Sequence, residues 1–197
     1  MARALSLEIA AAAARLVVED GMEYGPAKRR AAQLVARGAR DADLPDNEVL
    51  EDEVRAYLEL YCADTQPAEL AALRAVALAW MERLSVFRPH LTGAVWRGTA
   101  TRLSDIHMDL YCDDSKAAEL ALIDARVDYQ VSSAPGPRGR PVDVLSVAAR
   151  SAALGGRVTL HLSILDYDDL RGALRNDARG RPQRGDLAAV RALSPGP

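Results

Sequence analysis

The sequence predicts an α+β fold, a helical N-terminal region packed on a domain with a mixed sheet. Three observations carry that expectation. Apolar residues recur at helical spacing through roughly the first ninety positions. From Pro89 onward, short runs bounded by glycine and proline replace that spacing. One helical run between those strands gives the order helix, strand, helix, strand, hairpin.

Each element has its own signal. Ser6 can cap a helix that runs through Asp20 and stops at Gly21. Gly25-Pro26 starts a second helix, with Lys28, Arg29 and Arg30 in its first turn and its end at Gly38. After the loop DADLPDN, Asp46 or Asn47 caps a third helix to about Tyr61, whose Glu48, Glu51 and Asp52 suit the positive end of the helix dipole. The contrast between Lys28–Arg30 and the acidic run Glu48–Glu53 points to pairing between these helices. Thr65 or Gln66 caps the fourth helix, with Pro67 as its first residue. Leu70, Leu73, Ala77, Trp80, Met81 and Leu84 then form a core-facing stripe.

Beyond Pro89, His90 to Trp96 reads as a short strand ending in a glycine-punctuated loop. Ser104 to Cys112 is the second strand, Asp114 caps a helix from Ser115 to about Ala125, and Arg126 to Ser132 is the third strand. The turn PGPRGR leads into Val142–Val147 as a hairpin, and Gly155-Gly156 precedes a fifth strand, Val158–Leu165. The rest carries Arg171, Arg175, Arg179, Arg181 and Arg184 among glycines and prolines, ahead of a last helix near Leu187–Leu193. The expected division is therefore a helical region over 1–66, an α+β domain over 67–170, and an arginine-rich tail over 171–197.

Composition narrows the function classes. The 197 residues are 49% apolar and 27% charged, which excludes wholesale disorder. A net charge of −3 argues against a duplex-DNA coat role. Cys62 and Cys112 have no metal-ligand spacing and read as small buried hydrophobes in a reduced, cytoplasmic setting. Glu8 interrupts the opening alanine-rich run, which is shorter than the ~20 apolar residues of a membrane span, so no membrane partner is expected. There is no GxxxxGK[ST], GxSxG, HExxH, CxxC pair or GxGxxG.

The chemistry concentrates in LTGAVWRGTATRLSDIHMDLYCDD, from Leu91 to Asp114. Gly93-Ala94 and Arg97-Gly98 are small or basic residues at a strand end, where backbone N–H groups can approach a polyphosphate. On the following strand the period of two puts Asp105, His107 and Asp109 on one face, with Ile106, Met108 and Leu110 on the other. Two acids and a histidine on one face of a central strand suit a divalent cation better than packing.

These residues resemble the signature of the polymerase-β-like nucleotidyltransferase superfamily: a strand ending in Gly-Ser, an Arg-Gly soon after, and Ser-Asp-Ile-Asp opening the next strand. Gly93, Arg97, Gly98, Ser104, Asp105 and Ile106 stand where that pattern wants them, and the resemblance spans about Ala68 to Leu165. It implies an enzyme that moves a nucleoside monophosphate from an NTP to an acceptor hydroxyl, with carboxylates holding two Mg²⁺ ions. Gly93, Ala94, Arg97, Gly98, Thr99 and Ser104 would then bind nucleotide. Asp105, His107 and Asp109 would be metal ligands, with Asp105, Asp109 and Asp128 as the catalytic set.

Two positions depart from the pattern. Ala94 replaces the serine, and His107 replaces the second carboxylate, favouring Mn²⁺ or Zn²⁺ over Mg²⁺. Asp109 is the substitute, roughly 7 Å further along the strand than His107. The third acidic position falls on Asp128 by analogy with the smallest family members, with Asp143 as an alternative. By analogy with larger members, which place it after a hairpin, it falls on His161.

Arg97 and Arg102 can neutralise a triphosphate, while Arg138, Arg140 and the tail can guide an anionic acceptor. The expected partners are an NTP and an acceptor that is a small molecule, a protein or an RNA end, and the reading accommodates a homodimer. The competing expectation is a catalytically silent member that binds a nucleotide or a protein, favoured by Ala94 and His107.

Overall fold

The computed structural model describes residues 2–35 and 43–193, and it is a mixed α/β structure. Gly38, the expected end of the second helix, lies outside the described residues. The chain divides into two compact units, Met1–Glu69 with Thr99–Ser104, and Leu70–Gly98 with Asp105–Pro197. The arginine-rich C-terminal segment thus groups with the sheet.

The first unit contains α1 (Ala2–Asp20), α2 (Tyr24–Val35) and α3 (Asn47–Tyr61), together with the start of α4 (Gln66–Arg83). Its core joins Ile9, Ala13 and Val17 of α1 to Ala27 and Ala31 of α2 and to Leu50, Val54 and Leu58 of α3. The alanines let helix backbones approach closely while the branched residues fill what remains. Helix α1 begins at Ala2 rather than at Ser6, because Ala2, Arg3, Ala4 and Leu5 are all strong helix formers. Gly21 ends it with φ +66, where a Cβ would stand 2.9 Å from both Cβ and O of Leu103.

Lys28 of α2 donates to Asn47 Oδ1 at 2.9 Å and to the Pro45 carbonyl at 3.1 Å, which ties it to the start of α3. Glu51, 2% exposed, instead accepts from Arg55 of its own helix at 2.9 Å. At Lys28 the contact between these helices is thus a polar tie, and at Glu51 an ion pair forms within α3.

In the second unit, β1 (His90–Thr92), β2 (Ile106–Cys112), β3 (Tyr129–Pro135), β4 (Pro141–Ser151) and β5 (Gly156–Asp166) form one sheet in the order β1-β2-β5-β4-β3. Strand β2 runs parallel to β5 and antiparallel to β1, and β3, β4 and β5 form an antiparallel meander. Ile106, Met108, Leu110, Leu160, Leu162, Leu145 and Val147 bury one face, and α6 (Ala117–Asp124) lies against β2. Along α4, Leu73, Ala77 and Met81 are buried, whereas Trp80 is half-buried under the Arg83 guanidinium, 4.9 Å from the ring centroid.

One strand expectation fails. Gly93 to Trp96 do not continue β1 but form α5 (Gly93–Arg97), a single turn of helix closed by Gly98 at φ +83. Arg74 of α4 caps it, donating to the carbonyls of Val95 at 3.1 Å and Trp96 at 3.3 Å. The remaining helices are α7 (Leu170–Ala173) and α8 (Leu187–Leu193). Among the described residues no helix is long and apolar enough to cross a membrane.

Candidate functional site

The parallel pairing of β2 with β5 sets His107 opposite His161, and the β4–β5 pairing sets His161 opposite Ser146. Thr92 on β1 and Gln130 on β3 extend the same row, so five strands contribute one line of polar side chains to the half-exposed face. The two histidine rings stack with centroids 5.0 Å apart and planes inclined by 28°.

Asp105 stands one residue before β2, alongside the row and two residues before His107. Its Oδ2 lies 3.2 Å from His161 Nε2, and the other ring nitrogen, Nδ1, lies 2.8 Å from Ser146 Oγ. A carboxylate only accepts, so Nε2 carries the proton given to Asp105, and in the neutral ring Nδ1 accepts from the Ser146 hydroxyl. The His161 hydrogen bond, joined by a second from Thr159, holds the Asp105 carboxyl below its usual range against the opposing effect of burial.

Asp109 shares this face but belongs to a different cluster. Arg184, from the segment before α8, donates through Nη1 to Asp109 Oδ2 and, at 2.7 Å, to Tyr111 Oη. The two side chains of the ion pair are 19% and 15% exposed, so the pair is largely removed from water. Burial pushes the Asp109 carboxyl up, opposed by the guanidinium, and pushes the Tyr111 phenol up to about 12. His90 packs edge-on against Tyr111, with centroids 5.3 Å apart, and donates from Nδ1 to the Arg88 carbonyl at 2.9 Å. Arg184 Nε is buried without a hydrogen-bond partner.

The remaining sequence candidates scatter. Gly93 starts α5 at φ +67, and its missing Cβ would lie 3.5 Å from the His107 ring, so this glycine borders the histidine pair. Ala94 and Arg97 follow in the same turn. Thr99 and Ser104 fall in the first unit: Thr99 is buried with its hydroxyl unpartnered, and Ser104 Oγ accepts from the Thr101 amide at 3.0 Å. Asp128 is exposed ahead of edge strand β3, three strands from β2, which is about 14 Å at the usual strand spacing. Asp143 alternates onto the sheet face opposite Ser146 and lies 3.9 Å from Lys116. Of the three alternatives for the third position, His161 is the one brought beside Asp105 and His107.

This donor set does not fit a pair of Mg²⁺ ions. Magnesium asks for hard oxygen ligands, and the face offers Asp105 beside two imidazoles while Asp109 is taken by Arg184. Among the described residues no group of three His, Cys, Asp or Glu side chains is arranged to hold a metal ion. Sequence reading missed Ser146, Thr159, Tyr111 and Arg184. Period-two alternation in β2, β4 and β5 was the only local signal for Tyr111, Ser146 and Thr159, and Arg184 stood in a run of arginines.

No family model, curated protein or solved structure matches the chain.

Proposed function

We propose that this chain is a nucleotidyltransferase-like protein that holds a nucleotide against the polar sheet face without carrying out two-metal transfer. The observation that carries this reading is the Arg184–Asp109 pair. A tethered guanidinium already neutralises the carboxylate that a second cation would need. Gly93, which borders His107 at the start of α5, with Ala94, Arg97 and Gly98 along and at the end of the same short helix, are the residues proposed to meet the phosphates. The β1–α5–β2 order and the return of β5 alongside β2 agree with the resemblance drawn from the sequence.

A second reading, transfer of a nucleoside monophosphate from an NTP to a small molecule, protein or RNA end, is favoured by one feature. Asp105 stays ionised on the open part of the face, its side chain 42% exposed.

Thermal unfolding with each of the four NTPs, in EDTA and in Mg²⁺ or Mn²⁺, tests both. Ligand at 100 times its Kd adds about 2.7 kcal/mol. A rise that survives EDTA supports the binding role. A rise that needs the metal and vanishes in Asp105→Ala supports transfer. No rise with any nucleotide overturns both.

A further inference from the structure

We infer that Ser146 is a nucleophile, activated by His161 and oriented through Asp105, that attacks anhydrides or activated esters presented from solvent. The inference stands apart from nucleotide binding and rests on the hydrogen-bonded line Ser146 Oγ, His161 Nδ1, His161 Nε2, Asp105 Oδ2, with separations of 2.8 and 3.2 Å. A nucleophilic hydroxyl needs a base within hydrogen-bond reach and a third group that fixes the base's tautomer, and this line supplies both. Three different sequence segments have to converge for it to exist: β4, β5 and the residue before β2.

The placement favours reaction. Ser146 lies on a strand flanked by partners on both sides, so its position is rigid, while its side chain and that of His161 are half-exposed. His107 stacks on the other side of the His161 ring and holds its plane. The backbone amides beside Ser146 belong to the ladder with β3 and β5, so none is left to stabilise a developing oxyanion. The substrate must therefore carry a leaving group that departs readily, which is why the inference specifies anhydrides and activated esters.

In the step, an Oγ lone pair forms a bond to the electrophilic carbon or phosphorus while the hydroxyl proton moves to His161 Nδ1. The bond to the leaving group breaks with its electron pair, and the departing anion takes that proton from the imidazolium. Asp105 accepts the Nε2 hydrogen bond throughout and undergoes no bond change. The products are the O-acyl or O-phosphoryl serine and the protonated leaving group. Asp105 is thus a positioning residue.

The test treats the full chain with a fluorophosphonate and, separately, with 4-nitrophenyl acetate, and reads the adduct by intact mass and peptide mapping. An adduct from either reagent, one per chain and on Ser146, is expected. His161→Gln should slow labelling by about 100-fold or more, and Ser163→Ala, on the same face of β5, should leave the rate unchanged. Asp105→Asn should slow it by about tenfold or more, and Asp105→Glu should restore part of that loss at an unchanged melting temperature. Asp105 is 42% exposed, so this pair carries the test if the His161 variant does not fold. No adduct from either reagent, an adduct elsewhere, or equal Ser146 labelling in the wild type and Asp105→Asn would overturn the inference.

Discussion

Arg184 lies seventy-five residues after Asp109, yet its Nη1 donates both to that carboxylate and to the Tyr111 hydroxyl. The segment that carries it is held to the sheet by reciprocal bonds between Leu91 and Gly185, 2.8 Å and 3.0 Å long, and by Trp96 Nε1 donating to the Pro182 carbonyl at 2.8 Å. The stretch expected to be an arginine-rich tail thus contributes Arg184 to the site.

Removing one member of this pair strands the other in a poorly solvated position. Arg184→Met is expected to lower the unfolding free energy by about 3 kcal/mol, and Arg184→Met with Asp109→Leu to recover most of that loss. Urea titration of the two single variants and the double variant measures the coupling. Additive losses would show that the pair is not coupled in the folded state.

Gly185 is required by contact rather than by backbone angle. A Cβ there would lie 2.2 Å from the Trp96 ring. Gly185→Ala should cost about 1–3 kcal/mol through overpacking, and much of that cost should disappear in a Trp96→Leu background. Chemical denaturation of the four chains measures it.

In the first unit, the Tyr57 hydroxyl of α3 donates to Glu19 of α1, which also accepts from Arg15 at 2.8 Å. The Tyr57 bond, followed by that of Arg15, holds the Glu19 carboxyl below its usual range, so its contribution is present above the unfolded pKa and fades as pH falls through the folded one. The same bond raises the Tyr57 phenol to about 12, so that contribution is present below about 10 and is lost as pH climbs toward 12. Melting curves of wild type and Tyr57→Phe should differ most between those limits and converge at both ends. A constant difference across the whole range would refute the linkage.

The sequence made the local features readable and hid those that depend on pairing. Helices α3 and α8 fall where the sequence places them, because helical periodicity shows within a few residues. Asp105, His107 and Asp109 share a face because strand alternation is a property of the chain alone. Helix α5 was expected as strand because the five residues Gly93–Arg97 are too few to show a helical period, and its cap comes from Arg74. The roles of Ser146 and Arg184 follow from the register of β4 on β5 and from the path of the C-terminal segment. Both are set by contacts between residues distant in sequence, which leave no local mark.

Isothermal titration of wild type and Arg184→Met with an NTP, once in EDTA and once in excess Mg²⁺, separates neutralisation by Arg184 from neutralisation by a metal ion. A sheet face already neutralised by its own guanidinium should bind nucleotide with the same affinity in both buffers, and the loss of Arg184 should make binding metal-dependent. Wild-type binding that appears only with Mg²⁺, or no binding in either buffer, would rule out metal-independent nucleotide binding at this face.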